Sequence, residues 1–145
     1  MSGIRGKDTK PEIIVRSLLH RLGYRFRLHR TDLPGRPDIV LPKWQTVIFV
    51  NGCYWHGHED CHLFRLPKTR TDFWTNKIEG NRVRDQRNYA ALIDAGWKVL
   101  IIWECAVSKK LHLSEQEFEN AVTEALVSSK LLIEIRGLAK DGYNH

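Results

Sequence analysis

Two short, nearly continuous apolar runs constrain this chain more than any other feature: Thr46 to Val50 and Trp97 to Trp103. Both are rich in β-branched and aromatic residues, as strands buried on both faces are. Neither approaches the roughly 20 apolar residues that a membrane-spanning helix needs. Between them lie a stretch without periodicity, Asn51 to Pro67, and a helical stretch from Thr71 or Asp72 to Ala95. A kink is expected in that helix near Gly80-Asn81 and a stop at Gly96. An ordered loop as long as 51–67 inside a compact domain is usually functional.

The flanking segments complete an α/β pattern. Thr9-Lys10-Pro11-Glu12 has the form of a capping box with proline in the first turn. Ile14, Val15, Leu18, Leu19 and Leu22 follow at helical spacing, and Gly23 suits the stop. Tyr24, Phe26 and Leu28 alternate with Arg25 and Arg27, the period of a half-buried strand. A turn at Leu33-Pro34-Gly35-Arg36 leads to a buried strand over Asp38 to Leu41. Ser114-x-x-Glu117 opens a last helix reaching about Leu126. The tail, 127–145, is left unassigned apart from a short strand over Leu131 to Ile135. The order helix, three strands, helix, strand, helix implies a mixed sheet with helices packed against it.

A chain of 145 residues is expected to form one domain, with 1–8 as a flexible leading segment. No basic, then apolar, then small-residue signal opens it, so the cytoplasm is the expected location. Lys and Arg outnumber Asp and Glu by 23 to 17, a net +6 that favours polyanionic partners. Simple solubility would account for that charge equally well.

Three cysteines are an odd number, and cytosolic chains rarely keep disulfides, so free thiols or metal ligands are expected. Cys53, His58 and Cys61 fall within nine residues of the long loop, and Cys105 follows the last core strand. Three thiolates and one imidazole suit a closed, structural zinc site. Small buried cysteines would explain the thiols but not the Cys-x4-His-x2-Cys spacing. The residues alone leave the histidine open, since His56 and His62 are also within reach.

Asp38 opens a buried strand, where an unpaired charge is costly. A divalent cation at the strand edge would account for it, with the Val50 carbonyl as a neighbouring donor. His56 is placed to take a proton from an attacking water, with Asp85 on the following helix as the group that orients it. Against this, Asp38 could simply cap the preceding turn, and His56 could be a zinc ligand. Tyr54, Trp55 and Trp74, interleaved with Lys68, Arg70 and Lys77, suit base stacking or insertion into a duplex step. Packing into the core is the competing reading for Tyr54 and Trp55, and the favoured one for Trp97 and Trp103.

Taken together, Leu33-Pro34-Gly35-Arg36-Pro37-Asp38, Val47 through His56, Thr69 through Trp74, Arg84-Asp85 and Gly96 through Cys105 resemble the signature of the very-short-patch-repair endonucleases. The resemblance runs over residues 1–106. It implies a restriction-endonuclease-like core and nicking of DNA 5′ to the thymine of a T:G mismatch, the product of 5-methylcytosine deamination. Motif by motif, it implies magnesium on Asp38 and the Val50 carbonyl, His56 as general base, Asp85 orienting it, and Glu12 supporting the waters around the ion. It further implies zinc on Cys53, His58, Cys61 and Cys105, and a wedge of Tyr54, Trp55 and Trp74 beside the mismatch. Lys68, Arg70, Asn51 and Met1 complete the expected DNA contacts. Mismatched double-stranded DNA is the expected partner of a monomer acting on the nucleoid, with other mismatch-repair proteins as candidate partners.

The chain departs from the family pattern in three places. Asn51 stands where well-known members carry a histidine near the scissile phosphate. The His58–Cys61 gap is one residue longer, which the loop can absorb. Met1 begins where relatives have a further N-terminal segment that clamps the minor groove, so weaker clamping is expected. Two other functions therefore stand beside the nickase: a zinc-stabilised module that binds mismatches without cutting, and a nickase of relaxed specificity.

Overall fold

A computed structural model describes residues 9–59, 61, 63–64, 66–107 and 113–137. Met1 and His62 lie outside them. Helix α1 spans Lys10–Arg21 and is capped by Thr9, whose hydroxyl accepts the Glu12 N–H. The reciprocal half of the expected capping box is not the use made of Glu12. Its side chain is 2% exposed and turns inward to other partners, while Ile14, expected on the core face, is 36% exposed. Val15, Leu18 and Leu19 carry the buried stripe.

Strand β1 is only Arg27–Leu28, shorter than the alternation from Tyr24 suggests, although Tyr24 and Phe26 still pack on the core. Strand β2 is Ile39–Leu41, and a single 3-10 turn at Pro42–Trp44 leads to β3, Thr46–Asn51. Helix α2 spans Thr71–Asp94 and runs unbroken through Gly80, where a kink was expected. Strand β4 is Lys98–Trp103. Helix α3, Glu115–Val127, carries the full Ser114–Glu117 capping box, and β5 is Leu132–Ile135. No helix among the described residues is long and apolar enough to cross a membrane.

The five strands lie in sequence order, β1 through β5. β1 and β3 flank β2 antiparallel, whereas β3, β4 and β5 are mutually parallel neighbours. The two-residue period of the strands divides the core. Ile39, Leu41, Ile48, Leu100 and Ile102 meet α1 and α3 on one face. Val40, Val47, Phe49, Val99 and Ile101 meet Tyr89 and Leu92 of α2, together with the cysteines, on the other. The mixed sheet with helices on both faces is the architecture that the element order implies.

Register places Asn51, the last residue of β3, beside Trp103, the last of β4. The long loop therefore leaves the carboxyl end of one parallel strand next to the carboxyl end of its neighbour. That end of a parallel sheet is where α/β proteins habitually build their sites.

Candidate active site and metal centre

Cys53 follows β3 directly and Cys105 follows β4, so the parallel pairing brings together two thiols 52 positions apart in the chain (105 minus 53). The loop returns His58 and Cys61 to them. All four side chains are buried, and their ligand atoms lie within 4.8 Å of one another. His58 Nδ1 is 3.5 Å from Cys53 Sγ and 3.6 Å from Cys105 Sγ. Tetrahedral zinc, with bonds of about 2.3 Å to sulfur and 2.0 Å to nitrogen, sets sulfur and nitrogen roughly 3.5 Å apart. The cluster thus fits a structural zinc ion, with His58 rather than His56 as the imidazole.

Surrounding groups hold these ligands in place. The His58 ring stacks on Trp103 at 3.9 Å between centroids, 6° from parallel. Trp103 Nε1 donates to Glu134 Oε1 at 2.7 Å, and the Gly137 N–H donates to Cys105 Sγ at 3.2 Å. Cys105 is held below its ordinary thiol value by its hydrogen bond with Cys53, against burial. The same bond, with burial, pushes Cys53 up. Thiols bind zinc as thiolates, so three of them this close suit a cation that holds them deprotonated.

Helix α2 pins the loop residue by residue. Asn81 Nδ2 donates to the Trp55 carbonyl at 2.8 Å, and Arg82 Nε donates to the Gly57 carbonyl at 3.0 Å. One helical turn beyond Asn81, Asp85 Oδ2 lies 2.6 Å from His56 Nδ1. That bond fixes the ring and leaves Nε2 to exchange a proton. Gly57, at φ +60°, lets the chain turn between the two histidines, one facing Asp85 and the other the thiols.

Asp38 immediately precedes β2, and its Oδ2 accepts the Val50 N–H at 2.8 Å. Burial drives its carboxyl up to about 6, opposed by that hydrogen bond; the nearby Glu12 charge raises it further, and His29 and His56 lower it. In a strand, one residue's N–H and C=O point to the same edge, so the Val50 carbonyl faces the Asp38 side. Glu12, buried in α1, closes the cluster: its Oε2 meets His29 Nε2 at 2.6 Å and accepts from Arg16 Nη2 at 3.1 Å. Glu12, His29 and Asp38 each offer a ligand atom within 4.8 Å of the others. Hard oxygens converging around a buried carboxylate suit a divalent cation.

The aromatic residues form one patch. Trp55, 40% exposed, packs edge-on against Tyr54 at 5.1 Å between centroids. Half-buried Trp74 lies 6.1 Å from Tyr54 and 6.2 Å from Trp55. Phe73 extends the patch, and Arg70 lies over its ring at 4.4 Å. Lys68 is exposed in the segment that leads into α2. Asn51 is not part of this surface: it is 4% exposed, and its Nδ2 donates to Tyr89 Oη at 2.9 Å. Trp97 and Trp103 pack in the core.

Sequence reasoning missed His29, Trp103 and Arg82. No short motif contains His29 or Arg82, and Trp103, inside the Gly96 through Cys105 motif, reads as core alone. The signal for His29 was a lone histidine next to a strand, whose partners sit in α1 and β2.

The sequence comparisons agree with one another. The family described as DNA mismatch endonuclease Vsr matches residues 1–63. The type II nicking enzyme V.XorIIP of Xanthomonas oryzae pv. oryzae is 58% identical over 108 residues, covering 74% of this chain and 79% of the relative. DNA mismatch endonuclease Vsr of Escherichia coli is 44% identical over 126 residues, covering 87% of this chain and 78% of the relative. Among solved structures, the homing endonuclease I-Bth0305I catalytic domain matches with a TM-score of 0.53 at 18% identity, covering 83% of this chain and all of that one (100%). That likeness speaks to the fold alone, whereas the identities to the two enzymes span most of both chains. This chain belongs to the DNA mismatch endonuclease Vsr family.

Proposed function

We propose that this protein nicks double-stranded DNA on the 5′ side of the thymine in a T:G mismatch, with magnesium at Asp38 and His56 as general base. The observation that carries the reading is the His56–Asp85 pair, 2.6 Å apart, near a half-buried Asp38 whose carboxyl feels the His56 charge. A general base and a cation ligand in one place are what phosphodiester hydrolysis needs. A mismatch-binding module without cleavage would have no use for that pair.

Asp38 and the Val50 carbonyl are the residues that would hold the ion, with Glu12 as a second carboxylate in the same cavity. When bound, such an ion supplies positive charge to the scissile phosphate and the leaving oxygen. Asp85 keeps His56 Nδ1 occupied, so that Nε2 accepts the proton of the attacking water. Asp85 also stabilises the imidazolium that forms. The products are a 5′-phosphate and a 3′-hydroxyl.

Recognition falls to the aromatic patch. Trp55, backed by Tyr54 and Trp74, enters the duplex beside the mismatch, where unstacking costs least. Lys68 and Arg70 hold phosphates. The zinc site keeps the loop rigid enough for one segment to carry both the wedge and the base.

The test uses end-labelled duplexes, one with a single T:G mismatch in several sequence contexts and one fully paired. A nick beside the mismatched thymine is expected with magnesium. It should be absent with EDTA and return when excess magnesium is added. Tight binding to the mismatched duplex with no cut in magnesium would overturn the reading.

A further inference from the structure

His29 has no part in the mechanism above, yet the fold holds it firmly at the centre of the cation cavity. It follows β1, and its N–H donates to the Asp38 carbonyl at 3.0 Å, so its backbone is tied to the residue that opens β2. Its φ is +49°, the left-handed region that residues with a Cβ rarely adopt. Strain of that kind persists where the surroundings over-determine it, and it concentrates at functional sites. The result is an imidazole aimed inward, with Nε2 2.6 Å from Glu12 Oε2 and its side chain only 19% exposed. An open cleft along Arg27, Leu28, His29 and Arg30 reaches His29 from the solvent side.

Ligand atoms of Glu12, His29 and Asp38 lie within 4.8 Å of one another. Opposite ligands on a six-coordinate magnesium ion sit roughly 4.2 Å apart, so one ion reaches all three after a small inward shift. Glu12 then keeps the Arg16 guanidinium as its partner. We infer that His29 Nε2 is a further protein ligand of the catalytic cation, and that this site therefore prefers manganese to magnesium. An imidazole adds little for magnesium, which favours oxygen, but binds later divalent ions well; manganese accepts both donor types. The inference rests on the reading of Asp38 as a cation ligand.

The test uses the full-length, zinc-loaded protein with Mn²⁺ as the probe, followed by electron paramagnetic resonance. Mn²⁺ is expected to bind more tightly than Mg²⁺ in competition, as an imidazole ligand favours. The bound ion's spin echo should carry nitrogen-14 modulation. In His29→Gln, which still offers Glu12 a donor, the modulation should vanish and Mn²⁺ binding weaken roughly tenfold or more. Mg²⁺ affinity should change little, and zinc content and circular dichroism should match the parent. Labelling the unmutated protein with ¹⁵N-histidine should replace the modulation pattern, which tests the ligand without relying on a variant. Modulation that survives in His29→Gln, or that is lost only in His56→Ala, overturns the inference and leaves the cation site standing. Mn²⁺ binding that is absent, or unaffected by Asp38→Asn, overturns the cation site and the inference with it.

Discussion

Gly57 separates the histidine assigned to proton transfer from the histidine of the metal cluster, and Gly57→Ala should disturb both. The added methyl meets two obstacles. At φ +60° an alanine gives up about 1 kcal/mol to backbone strain. Its Cβ would also stand 2.5 Å from Ile78 Cγ2 and 2.5 Å from Arg82 Nε. Carbon atoms in contact prefer about 3.5–4.0 Å. Ile78 is 2% exposed on α2 and cannot retreat, and overpacking of this kind costs about 1–3 kcal/mol. Arg82 can swing away only by giving up its bonds to the Gly57 carbonyl, worth about 1 kcal/mol more. The total is about 3–5 kcal/mol, a large part of the roughly 5–15 kcal/mol that holds an ordinary domain together. Urea denaturation of the zinc-loaded variant should show that loss. Zinc should pass to a colorimetric chelator faster than from the parent, and single-turnover nicking should slow under conditions where the variant is still folded. A stability change within about 0.5 kcal/mol, the range of an ordinary surface substitution, with unchanged zinc retention would refute the reasoning.

Three further outcomes are expected. His56→Ala should slow single-turnover cleavage roughly 10²–10⁴-fold, the usual worth of a general base, while zinc content stays at the parent's level; loss of zinc instead would move His56 into the metal cluster. Trp55→Ala should lower the preference for mismatched over paired duplex in a binding titration, and an unchanged ratio would remove Trp55 from recognition. The third concerns pH in magnesium-free buffer. Asp38 binds its proton up to about 6 in the fold, chiefly because burial disfavours the charge, against 3.8 as its ordinary value. Between those values the unfolded chain binds fewer protons than the folded one, so this group makes stability fall as pH rises from about 4 to about 6. The size is at most about 3 kcal/mol, at 1.36 kcal/mol per pKa unit. Asp38→Asn should remove that fall; denaturation midpoints whose difference from the parent does not change over this pH range would contradict it.

What the sequence determined by itself is what local spacing encodes. Caps at Thr9 and Ser114 set where helices begin, because a side chain need only reach its own backbone three residues on. Apolar runs set β3 and β4, and the spacing of Cys53, His58 and Cys61 pointed to a metal cluster while leaving the choice of histidine open, because a short loop cannot carry such residues far apart. The residues alone offered the wedge and the His56–Asp85 partnership beside competing readings, and the family resemblance favoured them because it supplies long-range pairings that spacing cannot. Tertiary structure alone decided which way side chains face when two elements meet. Glu12 reads as a capping residue, yet the packing of α1 against the sheet buries it and gives it His29, 17 positions away, in place of its own helix terminus. Asn51 reads as a surface residue near DNA, yet its position at the end of β3 sends its amide onto Tyr89. Trp103 reads as core, and the register of β3 with β4 makes it also the plate on which the imidazole of the Cys3His cluster rests. Burial of polar groups is settled by partners distant in sequence, because a buried carboxylate or amide keeps the position where its hydrogen bonds close, and only the assembled fold brings those partners within reach.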